Sequence, residues 1–227
     1  MVQRTEATIE KITPLTNSIL QVFLKPDVYV PYAAGQYLNI LLQENALSYS
    51  IANAPLGSRS YELHIRHSKA NASNQALLAE MKARGKVQIE LPLGHCHLDQ
   101  LNKQKPILFI AGGTGFAPVK AMIEQLLADG EQRSFELYWG AHSQSDLYMD
   151  EKVKQWQAHV SHFRYRASLS QTTRTTLSTL VAQHHTEDLR QWQGVLAGPF
   201  DMVYAIRSAL LTQGILEENL FSDAFNR

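Results

Sequence analysis

The sequence predicts an antiparallel β-barrel domain followed by an α/β domain with a parallel sheet. Three observations lead there. Short segments of the first hundred residues alternate apolar and polar side chains with period two. Beyond Lys105, continuous apolar runs alternate with helical patterns, as a parallel sheet with helices on its faces requires. The two regimes meet at the polar run Asn102-Lys103-Gln104-Lys105, which sets the expected domains at 1–102 and 103–227.

The elements follow in order. Ile19 to Leu24 is β-branched and aromatic and ends before Pro26. Gly35 opens a strand from Gln36 to Leu42, and Tyr61 to Arg66 reads as a half-buried strand with one polar face. Asn74 to Arg84 is helical and closed by Gly85; Lys86 to Leu91 alternates again and stops at Pro92. Short strands separated by turn residues suggest a small antiparallel barrel or sandwich. In the second half, Ile107 to Ala111 is a central parallel strand. Strands are expected at Ser134–Trp139, Phe163–Ala167 and Gly194–Ala197, and helices at Pro118–Ala128, Asp150–Ala158, Leu177–His184 and Pro199–Gln213.

Charge and cysteine narrow the function classes. The 21 basic and 21 acidic residues divide evenly, 9 and 8 in residues 1–102 and 12 and 13 in residues 103–227, so there is no basic footprint for nucleic acid or an anionic membrane. A single cysteine excludes an internal disulfide and a four-cysteine iron–sulfur or zinc site within these residues. The first residues lack an apolar signal core, and the most apolar stretch, Pro106 to Val119, is broken by glycines and is shorter than a bilayer span. The expectation is a cytoplasmic protein without membrane insertion.

Gly112-Gly113-Thr114-Gly115 joins the central strand to a helix, with Pro118 expected at the first helical position. Glycines permit a tight turn and close approach of backbone to a ligand, and a helix N-terminus offers unpaired N–H groups to an anion such as a diphosphate. Two features of the common dinucleotide fingerprint are missing. The last glycine is replaced by Pro118, and the next strand ends Trp139-Gly140-Ala141-His142 with no carboxylate for a ribose. A second strand-to-helix turn, Ala197-Gly198-Pro199-Phe200-Asp201-Met202, is expected at a carboxyl end of the same sheet.

In the barrel, Leu47-Ser48-Tyr49-Ser50-Ile51-Ala52-Asn53-Ala54-Pro55 sits between strands and offers an aromatic ring and hydroxyls to a planar ligand. Together with the two glycine turns, and with Ala34-Gly35-Gln36-Tyr37, Tyr138-Trp139-Gly140, Asp146-Leu147-Tyr148 and Ser222-Asp223-Ala224-Phe225, this segment resembles the ferredoxin–NADP reductase superfamily, in its NAD(P)H:flavin reductase branch. The resemblance covers nearly the whole chain.

The resemblance implies a ferredoxin reductase-like fold whose barrel takes flavin (FMN, FAD or riboflavin) and whose α/β domain takes NADH or NADPH. Tyr49, Ser50, Ile51, Ala52, His64, Ile65 and Arg66 are then flavin-site residues, with Tyr49 on the ring and Ser50, the catalytic candidate, at flavin N5. Gly112, Gly113, Thr114, Gly115 and Pro118 hold the pyrophosphate. Trp139, Gly140, Gly198, Pro199, Met202 and Phe225 complete the coenzyme side. Two positions depart from the family. Leu47 replaces the arginine that holds flavin phosphate, unless Arg66 or Lys69 reaches it, and Ala197 replaces a frequent cysteine. The implied reaction is hydride transfer from NADH or NADPH to a loosely held flavin. The alternatives are a reductase component serving a separate flavin-linked oxygenase or acceptor, and a binding module without catalysis.

Other clusters carry less. In a strand, His95 and His97 share one face and Cys96 the other, without a fourth ligand, so no metal site is expected. His184-His185 reads as a solvated pair at a helix end, and His64 and Arg66 point one way from their strand, toward either flavin or solvent. No Gly-x-Ser-x-Gly elbow is present.

Overall fold

The computed structural model describes residues 1–42, 45–67, 72–173, 175–185 and 189–226. Lys69 lies outside the described residues. The chain divides into two compact units, Met1–Asp99 with Lys120–Asp129, and Gln100–Val119 with Gly130–Arg227. Among the described residues no helix is long and apolar enough to cross a membrane.

The first unit is a curled six-stranded antiparallel sheet. Its strands are β1 (Gln3–Pro14), β2 (Ile19–Pro26), β3 (Tyr37–Leu42), β4 (Asn45–Ser50), β5 (Tyr61–Arg66) and β6 (Lys86–Leu93), in the order β4-β3-β6-β1-β2-β5. Helix α1 (Ala72–Arg84) precedes β6. Inward-facing Val22, Leu24, Leu38, Ile40, Leu63, Ile65 and Ile89 are fully buried and form the core with Leu77 and Met81 of α1. Each such side chain contributes roughly 1.5–3 kcal/mol by leaving water. The two edge strands meet at one point: Ile51, just past β4, makes an antiparallel bridge with Leu63 of β5.

Two expectations are corrected in this unit. The segment Leu47–Ser50 is not a connection between strands but most of β4, paired residue by residue with β3 from Tyr37↔Ser50 to Leu42↔Asn45. Edge position explains the weak signal, because β4 has exposed residues at Asn45, Ala46 and Ser48. Strand β5 is not half-buried: Glu62 and His64, on its supposed polar face, are as buried as Leu63. Strand β1, the longest, was not singled out; only Thr5 and Ala7 of its twelve residues are buried, so its pattern is faint.

The second unit holds a five-stranded parallel sheet, β7 (Ile107–Gly112), β8 (Phe135–Ala141), β9 (Phe163–Leu169), β10 (Gln193–Ala197) and β11 (Leu220–Phe221), in the order β11-β10-β7-β8-β9. Its helices are α3 (Asp150–His159), α4 (Leu177–His184) and α5 (Phe200–Thr212), while α2 (Phe116–Ala128) starts in this unit and belongs to the first from Lys120 onward. All six residues of β7 are buried, which accounts for its unbroken apolar run. The chain leaves β7 toward β8 and β9, then returns to β10 on the other side of β7. The switch point therefore lies between β7 and β10, where open α/β sheets bind ligands.

Three further corrections fall here. A 3-10 turn, Gly113–Gly115, precedes α2, so Pro118 is its third residue and not its first; proline is tolerated there because the first four helical N–H groups have no partner within the helix. His185 is not solvated: its imidazole is 6% exposed, bonds Glu136 at 3.2 Å and packs edge-on to Trp192. His95–His97 falls after β6 has ended, so the strand geometry assumed for it does not apply.

Candidate flavin and dinucleotide sites

The barrel site is built around the seam between β4 and β5. Along β4, Leu47 and Tyr49 share the face packed on the core, while Ser48 and Ser50 take the other. The Tyr49 hydroxyl donates to Asn74 Oδ1 at 2.6 Å, and Asn74 Nδ2 donates to the Arg66 carbonyl, fixing the ring against α1. Burial pushes the Tyr49 phenol up to about 12, so it is a neutral donor near pH 7. Ser50 is half-buried, and its hydroxyl has no hydrogen-bond partner among the described residues. Ile51, Ala52 and Ile65 are fully buried and Arg66 is exposed.

Behind the seam lies a charged cluster that sequence reading missed. Lys120 of α2 is 2% exposed. Its Nζ donates to the Ala52 carbonyl at 2.9 Å, to Glu62 Oε2 at 2.8 Å and to Glu124 at 3.1 Å. Glu62 Oε1 is bonded by Gln21 Nε2 at 2.6 Å and lies 2.9 Å from His64 Nε2. Burial favours a neutral Glu62, but the hydrogen bond from His64 and the charge and hydrogen bond of Lys120 hold its carboxyl far below the usual range. Burial lowers His64, only partly offset by Glu62, which favours the neutral ring. His64 thus does not face solvent; its imidazole is turned onto Glu62. Only the charged residues at alternate positions of β5 hinted at this network.

In the second unit the two glycine turns end adjacent strands and pack on one another. A Cβ on Gly115 would lie 2.2 Å from the Ala197 carbonyl oxygen, and one on Gly112 would lie 2.4 Å from Met202 Sδ. Gly115, which meets backbone, is therefore required by protein packing, whereas a Cβ on Gly112 would have to displace the Met202 side chain. Gly113 differs, because its φ of 53° is in the left-handed region and Gly113–Gly115 is half-exposed. The backbone of this 3-10 turn, ahead of α2, is therefore the part-exposed stretch at which an anion could approach N–H groups. Trp139 is fully buried beneath the turn, donates from Nε1 to the Gly113 carbonyl at 3.0 Å and stacks on Phe116 with centroids 3.9 Å apart. Gly140 backs onto Leu177. Gly198 and Pro199 are exposed at the start of α5, and Met202 wedges between the turns. Phe225 packs on α5 between Tyr204 and Arg207.

Residues 109–208 match the oxidoreductase NAD-binding domain family. The chain is 30% identical to a probable flavin reductase of Vibrio harveyi over 96% of its own length and 97% of that protein's. The chain belongs to the flavin reductase branch of the ferredoxin–NADP reductase-like superfamily. Within that family it is also 34% identical to the CDP-6-deoxy-L-threo-D-glycero-4-hexulose-3-dehydrase reductase of Yersinia pestis over 92% of this chain. It is 32% identical to reductase component 1 of the terephthalate 1,2-dioxygenase of a Comamonas species, again over 92% of its length. The chain spans only 64% and 63% of those two proteins. The crystal structure of the Amycolatopsis cytochrome P450 reductase GcoB shares the fold, with a TM-score of 0.84 at 23% identity over 96% of this chain and 68% of that one.

Proposed function

We propose that this protein is an NAD(P)H:flavin oxidoreductase that passes hydride from NADH or NADPH to a loosely held flavin. The observation that carries this reading is the end-to-end correspondence with the Vibrio harveyi flavin reductase. We assign flavin to the barrel, expected at 1–102, and the coenzyme to the α/β part, expected at 103–227. Flavin supplies the acceptor chemistry when bound; the chain supplies position and electrostatics. Tyr49, held by Asn74, offers a fixed ring face, and the free Ser50 hydroxyl offers a hydrogen bond to the edge of the flavin ring. The Gly113–Gly115 N–H groups hold the pyrophosphate, while Trp139 and Met202 support the turn from behind. Leu47 supplies neither charge nor hydrogen bond, so flavin phosphate gains nothing at that position. The single cysteine, Cys96, is buried and in no disulfide, which fits a reducing, cytoplasmic compartment.

The second reading, a reductase component that keeps its flavin and serves a separate oxygenase, is favoured by the match to the Comamonas protein. Coenzyme oxidation by dialysed protein, with riboflavin, FMN and FAD added in turn, separates the two. The first reading expects colourless protein that is inactive until flavin is supplied. Yellow protein that passes electrons to an added protein acceptor without free flavin would replace it with the second.

A further inference from the structure

Lysine is seldom fully buried, and a buried ion pair is often no more stable than apolar residues of the same volume. Stability alone therefore does not account for Lys120, and its placement does more. All three of its N–H donors are used, two of them on the seam: the Ala52 carbonyl and Glu62. That seam has little else. Ile51–Leu63 is the bridge between the edge strands. Beside it, Ala52 N–H bonds the Glu62 carbonyl at 2.7 Å, and Glu62 N–H bonds Asn53 Oδ1 at 2.8 Å. Lys120 thus fastens both strands where the sheet closes, two residues beyond Ser50.

Resting on the flavin reading above, we infer that Lys120 is a positioning residue of the flavin site, a clasp that fixes the Ser50–Ala52 backbone through the Ala52 carbonyl and Glu62. It does not touch flavin. It sets where the Ser50 hydroxyl stands, so losing it loosens a ring contact shared by every flavin. Riboflavin and FMN should then weaken together, whereas loss of a phosphate contact would affect FMN alone.

The test compares wild type with Lys120→Met. Titration with riboflavin and with FMN is expected to show both dissociation constants raised tenfold or more by the same factor, with a changed absorption band for the bound flavin. Exchange of the Ala52 and Glu62 amide protons should speed up by a similar factor, while the β1–β2 ladder stays protected. The coenzyme dissociation constant, measured without flavin, should stay within twofold. If Lys120→Met leaves Glu62 unpaired and fails to fold, Lys120→Met/Glu62→Gln removes the uncompensated charge and takes its place. The clasp predicts that the double variant still binds flavin weakly; wild-type affinity in either variant overturns it. If wild type binds neither flavin, the flavin reading fails instead. The amide protons of Ala52 and Glu62 then decide the clasp, and unchanged protection in the variant rejects it.

Discussion

The barrel seam and the paired glycine turns both hold backbone in place, and they do so by opposite means. The turns are fixed sterically. A methyl group on Gly115 would run into the Ala197 backbone, and one on Gly112 or Gly198 would have to push the Met202 side chain aside. The seam is fixed electrostatically, by a lysine, a carboxylate and an imidazole in a buried cluster. Steric fixing is local and resists an added atom. Electrostatic fixing is distributed, since it draws on β2, β5 and α2, and it responds to pH.

The largest expected effect tests what the seam holds. Ser50→Ala removes a hydroxyl that has no structural bond to lose, so the fold should be unaffected. A donor acting mainly in the transition state is worth on the order of 10²–10³ in rate. Single-turnover coenzyme oxidation at saturating flavin should slow by that factor, with coenzyme affinity unchanged. An unchanged rate removes Ser50 from the mechanism.

The turns come next, because their glycines divide into two kinds. Gly115→Ala overpacks the contact with Ala197 and should cost about 1–3 kcal/mol, seen as a lower melting midpoint in calorimetry. Gly113→Val puts a β-branched side chain at a left-handed φ in the half-exposed turn, so backbone strain and bulk together should raise the KM for NADH or NADPH by roughly tenfold, about 1.4 kcal/mol. It should do so without a comparable loss of flavin affinity. Equal effects on both ligands would mean that the turn is no coenzyme site.

Leu47→Arg sharpens the comparison from the barrel side. A charge-assisted hydrogen bond is worth roughly 1.5–3 kcal/mol. The variant should therefore gain about tenfold to a hundredfold in FMN affinity and little in riboflavin affinity. Strong FMN preference already present in wild type would show that another group grips the phosphate.

The smallest effect is on pH. Burial holds His64 below its ordinary value, so the unfolded chain takes up this proton first as pH falls. Its contribution to stability is complete above about pH 6.5 and declines below that. The share of Glu62, held far below the carboxylate range, is lost only in stronger acid. Thermal midpoints between pH 7.5 and 5.5 should fall in wild type and fall less steeply in His64→Gln. Parallel curves would place the pH response elsewhere.

What the sequence made legible follows the same division. The glycine turns could be read because their chemistry is contiguous: an apolar strand, three glycines and a helix start within a dozen residues. The centre of the parallel sheet was equally plain, since burial of β7 on both faces leaves an unbroken apolar run. The seam could not be read. Gln21, Glu62, His64 and Lys120 are scattered through the chain, and each alone looks like a solvent-facing side chain. The alternation in β5 pointed to a wet face because nothing local announces that Lys120 will cover it. Ser50 and Tyr49 were found through the company they keep along the chain. Their support by Asn74 and Ala52 depends on pairings that sequence spacing does not encode.

Glu136 carries a different consequence. It is the second residue of β8, at the amino end of the parallel sheet. One of its oxygens, Oε2, receives the Tyr138 hydroxyl at 2.8 Å and Arg166 of β9 at 3.0 Å, and lies 3.2 Å from His185 just past α4. Burial opposes its charge, but these partners keep its carboxyl below the ordinary range. The floor of the sheet is thereby riveted across two strands and a helix end, at the opposite pole from the turns after β7 and β10. A scaffold anchored at its base leaves its rim free to change. Substitutions among the carboxyl-end loops could retune which coenzyme is accepted while the sheet beneath them stays intact.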